Sequence, residues 1–114
     1  MSVRKPVRLN VPLTLETPER SPDGLGGYRL GWRAIGRIWA EMRAGAGGER
    51  YAEVGVESTV TWRITVRGAP VGDLRRPRAD QRLRHGTRIF RIVAVAEDAS
   101  GQFLTCTAKE EKLA

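Results

Sequence analysis

The chain is 114 residues long, enough for one domain with a modest hydrophobic core, and it has no stretch near the ~20 apolar residues that cross a membrane as a helix. Twenty Lys and Arg residues against 13 Asp and Glu give a formal net charge of +7, and arginine supplies most of the positive charge. This balance favours a polyanion or an acidic protein surface as a partner, while the single cysteine excludes an internal disulfide and suits a reducing compartment.

The first predicted strand covers the N-terminal apolar residues. Odd-numbered positions from Val7 to Leu15 are aliphatic and alternate with mostly polar ones, as in a strand with one buried face. Pro12 has no backbone N–H, so we expect the strand to lie at an edge or to pair on one side only there. The segment lacks the continuous apolar run of a signal peptide. Prolines and glycines predict a loop over residues 16–27.

The segment from Gly26 to Met42 carries more bulky apolar surface than any other, so we expect the core to be assembled against it. Its apolar residues recur both at helical steps and at the alternation of a strand. Gly31 and Gly36 would each cost roughly 1 kcal/mol in a helix interior. The glycines therefore favour a long strand that is kinked at Gly36 over a helix.

A glycine-rich loop is predicted over residues 43–53, with Gly45, Gly47 and Gly48 within four positions. Taken alone, this composition favours a plain hairpin connection. The next strand is predicted because even-numbered residues from Val54 to Val66 are apolar except for Ser58, and the odd-numbered ones are mostly charged or threonine.

A second long loop is predicted over residues 68–82, where prolines and glycines interrupt any alternation. It begins an arginine-rich stretch that continues to Arg91. Three interpretations stay open: a surface that follows a nucleic-acid backbone, a rim that docks on an acidic protein, and a solvated loop. The arginines concerned are Arg75, Arg76, Arg78, Arg82 and Arg84.

The C-terminal third predicts two further strands. His85-Gly86 forms a tight turn before residues 87–96, in which both alternating sets are apolar, so we expect a central strand buried on two faces. Residues 98–101 predict a hairpin turn, residues 103–108 a closing strand and residues 109–112 a polar tail.

Together these elements predict an all-β fold: a small antiparallel β-barrel or sandwich of five to six strands with long loops, forming one domain over residues 1–114. We expect the tryptophans to lie in the core and not to stack on nucleic-acid bases. The predicted core residues are Trp32, Ile35, Trp39, Trp62, Ile64, Phe90, Ile92 and Cys106.

Catalytic and cofactor-binding patterns are missing from the sequence. His85 lies in a turn and Cys106 alternates into an apolar strand face, which favours a solvated imidazole and an inert core thiol. One cysteine and one histidine do not make a Cys- or His-rich zinc site, and no phosphate-binding glycine motif is present. We therefore expect no catalytic residue, no metal and no cofactor, and expect that the protein is not an enzyme.

The order of several motifs resembles the head–tail joining proteins, also called head completion or stopper proteins, of long-tailed bacteriophages and gene transfer agents. The motifs are Asp23 to Gly27, Trp32 to Ala40, a Gly/Glu loop, Thr59 to Arg67, and Arg82 to Ile92 before the Cys106 strand. Each motif is weak alone, but the ordered set is specific and spans about residues 4–109.

The resemblance implies a β-barrel that assembles as a hexameric or dodecameric ring in the neck of a virion or phage-like particle, after assembly in the bacterial cytoplasm. Its partners would be the portal or adaptor, the tail terminator protein and the packaged double-stranded DNA, held without sequence specificity. The loop implied to reach the channel contains Arg43, Gly45, Gly47, Gly48, Glu49, Arg50 and Tyr51. The alternative is a free-standing nucleic-acid-binding barrel, with no membrane in either case.

Overall fold

Six β-strands account for most of the computed structural model, which describes residues 6–45 and 60–111. Within these residues there is no helix. Neighbouring strands are antiparallel, and the sheet closes on itself in the order β1-β2-β3-β6-β5-β4. The predicted all-β class and antiparallel barrel are therefore confirmed. The strands are β1 (Val11–Pro22), β2 (Tyr28–Ala44), β3 (Thr61–Arg67), β4 (Arg82–His85), β5 (Arg88–Glu97) and β6 (Phe103–Glu111).

The core lies inside this ring of strands and is supplied by the inward positions of all six. Phe90 is its largest fully buried side chain, and the Trp62 ring meets it edge-on with ring centroids 5.8 Å apart. The predicted core residues Ile64, Phe90, Ile92 and Cys106 are buried, and Ile35 and Trp62 pack against the core while partly exposed. The other core residues are Leu13, Leu15, Ala40, Val66, Leu83, Leu104 and Ala108.

The expectation that the core is assembled against residues 26–42 is wrong. This segment is a strand, as favoured, but Ala40 is its only fully buried residue. The register of β2 against β1 shifts at Ile35, beside the kink predicted at Gly36. On the N-terminal side of that bulge, β2 pairs with β1 alone, because the pairing of β2 with β3 starts at Ala40. Half of β2 therefore belongs to a two-stranded arm.

Two tryptophans expected in the core lie outside it. Trp39 follows the inward-facing Ile38, so alternation turns it outward, and 51% of its surface is exposed. Trp32 is half-buried on the outer side of the sheet, where the Arg82 guanidinium stacks on its ring. Neither residue is on a helix, and neither belongs to the core cluster.

The first strand begins later and ends later than predicted. Residues 7–10 are not in a strand, and β1 continues through Pro22, so the predicted loop over residues 16–27 shortens to residues 23–27. The expected one-sided pairing at Pro12 is confirmed, because β4 pairs with β1 only from Thr14 to Glu16. The ring of strands therefore closes through three residue pairs.

The fifth strand is not buried on two faces along its length. Phe90 and Ile92 face inward, and a bulge at Val93 then shifts the phase, so Val95 packs on the core opposite Cys106. Val93 itself is exposed. One extra residue on the bulged strand moves later side chains to the other face. The phase shift thus explains why Val95 faces inward, whereas Ile89, before the bulge, is buried on the opposite side of the strand from Phe90.

Several predicted boundaries also change. The turn over residues 98–101 is confirmed, but β6 extends through Glu111 and replaces most of the predicted tail. Arg43 lies in β2 opposite Arg63 rather than in the glycine loop, and Arg82 begins β4 rather than ending the basic loop. The N-terminal part of the predicted third strand, from Val54, lies outside the described residues, as do Gly47, Gly48, Glu49, Arg50 and Tyr51.

Candidate interaction surfaces

The two-stranded arm carries different chemistry on its two faces. Pairing of Pro18 with Trp32, Arg20 with Leu30 and Pro22 with Tyr28 places these residues on one face. Leu30 is 81% exposed there, and the Arg20 guanidinium lies 4.8 Å from the centre of the Tyr28 ring. The opposite face carries Glu19, Ser21, Arg29 and Arg33. The arm is therefore amphipathic, with its apolar face uncovered.

The turn at the tip of the arm is ordered by Asp23. Its carboxylate accepts hydrogen bonds from the backbone N–H groups of Leu25 and Gly27 at 2.7 and 3.0 Å. These bonds lower the pKa of the Asp23 carboxyl, and the bond from Leu25 has the largest effect. Gly24 and Gly26 have positive φ angles of 83° and 90°, which favour glycine. The turn holds Leu25 out into solvent at the end of the arm.

A charged cluster closes the seam between β1 and β4. Glu16 is buried, and its two carboxylate oxygens lie 2.6 Å from Arg82 Nε and 2.9 Å from Arg84 Nη2. The Arg82 side chain is only 17% exposed and its guanidinium lies 4.2 Å from the centre of the Trp32 ring. Arg82 therefore holds the fold together, and it is not the freely exposed partner-facing side chain that the sequence predicted. Arg84 is held at the same seam but keeps 45% of its side-chain surface.

The basic loop over residues 68–81 is fixed by internal bonds. Arg75 pairs with Asp73 at 3.3 Å, and this side-chain hydrogen bond lowers the pKa of the Asp73 carboxyl. Arg76 Nη1 donates to the Ala69 carbonyl at 2.8 Å, while Pro77 is fully buried. Arg78 is exposed. Two of its arginines therefore bind within the loop, although Arg75 keeps 79% of its side-chain surface exposed, and the three interpretations stay open.

Exposed apolar side chains also mark this loop. Val71 and Leu74 are 85% and 71% exposed, and both border a small cleft that Ile35 and Gln81 also line. A separate, wider groove of about 870 Å³ lies beside Trp39. Its apolar lining includes Leu9, Ile38 and Pro70, with arginines at its rim. The chain thus presents two apolar patches, on the arm and on the basic loop, and an open groove.

Only the first residues of the predicted channel loop are described. Arg43 is exposed in β2, with its guanidinium 3.7 Å from Glu41. The Gly45 N–H donates to the Thr61 carbonyl, and a Cβ at Gly45 would lie 2.8 Å from that oxygen. Glycine at this position is therefore required by close backbone approach, as its small size suggested.

Comparison with known families identifies the group of proteins to which the chain is related. The sequence model of the phage head completion protein family matches residues 4–111. The chain belongs to this family. Membership assigns a structural role in completing the phage head.

Solved structures extend the comparison. A chain from the virion of a native gene transfer agent particle is 53% identical, with a TM-score of 0.78, covering 96% of this chain and 100% of that one. Protein SF1141 from Shigella flexneri 2a, known in solution, has a TM-score of 0.69 at 21% identity, covering 94% and 96% of the two chains. The second likeness shows the fold alone. No curated protein is significantly similar to this head completion protein.

The single cysteine of this head completion protein is buried in the core. Burial raises the pKa of the Cys106 thiol to about 12, so the nucleophilic thiolate is not formed at neutral pH. Among residues 6–45 and 60–111, no three His, Cys, Asp or Glu side chains are grouped as metal ligands. The same residues contain no helix that could span a bilayer.

One ion pair on β6 was not foreseen because the region was predicted to be a tail. Glu110 accepts two hydrogen bonds from Arg88, at 2.8 and 3.0 Å, and a third from Trp62 Nε1 at 3.1 Å. The bonds from Arg88 are the main reason that the pKa of the Glu110 carboxyl is lowered. The Glu110 cluster ties the end of β6 to β3 and β5. The sequence indicates this cluster only through the position of Glu110, which lies two residues after Ala108, the last apolar residue of the alternation in β6.

Proposed function

We propose that this head completion protein forms a ring in the neck of a phage-like particle, between the portal or adaptor and the tail terminator. There it keeps the DNA-filled head closed and provides the surface on which the tail docks. The proposal is carried by the 53% identity, over nearly the full length of both chains, to a component of a gene transfer agent virion. No catalysis is part of this role.

The distribution of apolar surface supports a cyclic assembly. A closed ring needs two different complementary patches on each subunit, because head-to-tail contacts are heterologous. The arm face with Tyr28 and Leu30 is one candidate, and the loop surface with Val71 and Leu74 is another. Contiguous exposed apolar patches on soluble proteins often mark contact sites. We therefore assign the arm to subunit–subunit contact and the basic loop to a protein rim, with Arg75, Arg76 and Arg78 toward acidic partners.

The part of the glycine loop that follows β2, residues 45–53, is proposed to project into the channel and obstruct it. The support is the family membership together with the fixed start of the loop, where Gly45 is held against β3. Deleting residues 46–48 and keeping Gly45 is expected to leave the fold intact, while particles lose DNA or fail to join tails. Normal, DNA-retaining and tailed particles would remove the gating role.

The ring itself is tested on the arm. The variant Tyr28→Asp/Leu30→Asp places two carboxylates on the apolar arm face, and Arg29→Asp changes the opposite face as a control. Averaged images of the chain bound to purified portal–adaptor complex are expected to show a ring for the wild type and for the control. The double variant is expected to lose it. A ring formed equally well by all three proteins would overturn the assignment of the arm.

A further inference from the structure

The outward face of β2, β3 and β6 is rich in arginine and threonine, and it is not part of the proposed ring contacts. Cross-strand pairing aligns Arg43 with Arg63 and then Thr107, and aligns Thr65 with Thr105. The alternate positions Met42, Ile64 and Cys106 face the core. We call the outward set the basic face; it consists of Arg43, Arg63, Arg67, Thr65, Thr105 and Thr107, together with Glu41, a carboxylate that pairs with Thr65.

Positive charge on the basic face is poorly neutralised by the protein. Arg43 and Arg63 are directly opposite each other, where Cβ atoms are about 4.5–5.5 Å apart and like charges destabilise a sheet. Arg43 has Glu41 at 3.7 Å, but Arg63 and Arg67 form no ion pair with any described residue. The arginines of β4 and β5 contrast with them, because Arg82, Arg84, Arg88 and Arg91 each have a carboxylate partner. Arg20, Arg29 and Arg37 of β1 and β2 have no ion pair with a described residue either, but they are not aligned side by side across neighbouring strands.

The basic face also lacks what a protein interface needs at its centre. Such centres are enriched in aromatic and aliphatic side chains, whereas here the central outward positions are arginine, threonine and Glu41. The outward aromatic residues Trp39 and Phe103 lie at one end of the sheet face, level with Arg67. Guanidinium and hydroxyl groups without an apolar anchor match a ligand with regularly spaced anionic oxygens.

We propose that the basic face binds the phosphate backbone of double-stranded DNA without reading its sequence. The inference rests on the proposed function, because a ring that closes a filled head surrounds DNA, and it assigns the channel-facing side of the subunit. It also replaces the basic loop as the DNA-facing surface, since Arg82 and Arg84 bind Glu16 and Arg75 binds Asp73. Threonine hydroxyls donate to phosphate oxygens between the arginines.

The test compares two double variants that remove the same charge from different faces. Fluorescence anisotropy of a labelled duplex of arbitrary sequence is followed with the full chain between 50 and 200 mM salt. Arg63→Gln/Arg67→Gln alters the basic face, and Arg29→Gln/Arg78→Gln is the control on the arm and the basic loop. Each phosphate contact contributes about 0.9 to the slope of log K against log salt, so the first variant is expected to lower the slope by about 1.8 and the control hardly at all.

The affinity of the basic-face variant at 50 mM salt is expected to fall about tenfold per arginine, from the same salt dependence. Equal losses in both variants, no binding by the wild type, or equal affinity for poly-glutamate would each overturn the inference. The last result would assign the face to an acidic protein instead.

Imaging of the portal–adaptor complex separates this inference from the proposed function. If Arg63→Gln/Arg67→Gln forms a ring and loses no more DNA affinity than the control variant, the inference about the basic face is rejected and the proposed ring stands. If the basic-face variant loses DNA binding but the wild type forms no ring, the inference about the basic face is supported and the proposed ring is rejected. The protein would then be a free-standing nucleic-acid-binding barrel.

Discussion

Replacing Glu16 by alanine is expected to weaken the ring of strands at its narrowest joint. β1 and β4 share three residue pairs, and Glu16 stands opposite Arg82 in the last of them. The Glu16 carboxylate is buried and binds Arg82 at 2.6 Å and Arg84 at 2.9 Å. Alanine would remove both ion pairs and leave two guanidinium groups at the seam without their acceptor.

The magnitude follows from how buried each partner is. Removing one member of a fully buried ion pair costs about 3–5 kcal/mol, whereas exposed pairs contribute about 1 kcal/mol or less. Arg82 is 17% exposed and Arg84 is 45% exposed, so only the first pair approaches the buried limit. We expect Glu16→Ala to lower the free energy of unfolding by about 2–3 kcal/mol, and the melting temperature by about 10 °C.

Urea unfolding, followed by circular dichroism, measures this loss. Glu19→Ala is the matched control on the same strand, because Glu19 is half exposed and 3.9 Å from Arg33, and its effect should stay below about 0.5 kcal/mol. Glu16→Gln keeps an acceptor at the seam and is expected to lie between the two. If Glu16→Ala and Glu19→Ala were equally stable, the seam would not depend on this cluster and the reasoning would be refuted.

Three further predictions concern close contacts and titration. Gly68→Ala should lower the free energy of unfolding by about 1–3 kcal/mol, because the added Cβ would lie 2.6 Å from a backbone oxygen, while Gly31→Ala, with nothing within 4 Å, should be neutral in the same urea titration. The lowered pKa of Glu110 means that its pairing with Arg88 stabilises the fold fully above the ordinary pKa of 4.5, and that this stability is lost as pH falls from there through the lowered pKa. Wild type and Glu110→Gln should therefore differ in stability at pH 7, and the difference should shrink as the pH is lowered below 4.5. Burial raises the pKa of the Cys106 thiol from 9.0 to about 12, so the protonated thiol stabilises the fold below pH 9, and this contribution is lost as pH rises toward 12. A thiol reagent should therefore label Cys106 at the rate of unfolding, and rapid labelling of the folded protein would contradict its burial.

The parts of the fold that the sequence predicted well are those where alternation runs without interruption. In β3, and in β6 as far as Ala108, every second residue is apolar, and Ile64, Val66, Leu104 and Cys106 are buried as that pattern requires. A strand has a side-chain period of two whatever its neighbours are, so the inward face can be assigned without knowing the topology.

Bulges account for the errors in β2 and β5. At Ile35 and at Val93 one extra residue shifts the phase, and residues of opposite parity then share a face. A segment whose odd- and even-numbered residues are both apolar fits a strand that is buried on both faces. It fits equally a strand with one buried face and one bulge. Choosing between them requires the register of the neighbouring strand, which single-sequence patterns do not contain.

The candidate sites were harder to predict because they depend on distant pairing. The arginine-rich stretch was visible in the sequence, but its meaning changes once Glu16, 66 residues away from Arg82, is found opposite it. The same pairing explains why Trp32 is covered by a guanidinium and not by the core. Charge content can therefore be read from the sequence, whereas the distinction between paired and unpaired arginines cannot.

The closed sheet restricts how this protein can bind partners. In a closed order of strands, free backbone edges are left where one strand extends beyond its neighbour. This happens along the arm, where β1 and β2 pair with each other alone, and also at residues 94–97 of β5, which pair with β6 alone. Pro18 and Pro22 remove two backbone donors from the outer part of β1, which discourages pairing with another strand. Binding through the arm must then use its side chains, and the exposed Tyr28 and Leu30 supply an apolar face for that purpose. The apolar face of the arm and the basic face are thus physically separated, so the two contacts that we propose, with a protein neighbour and with DNA, would not compete for one surface.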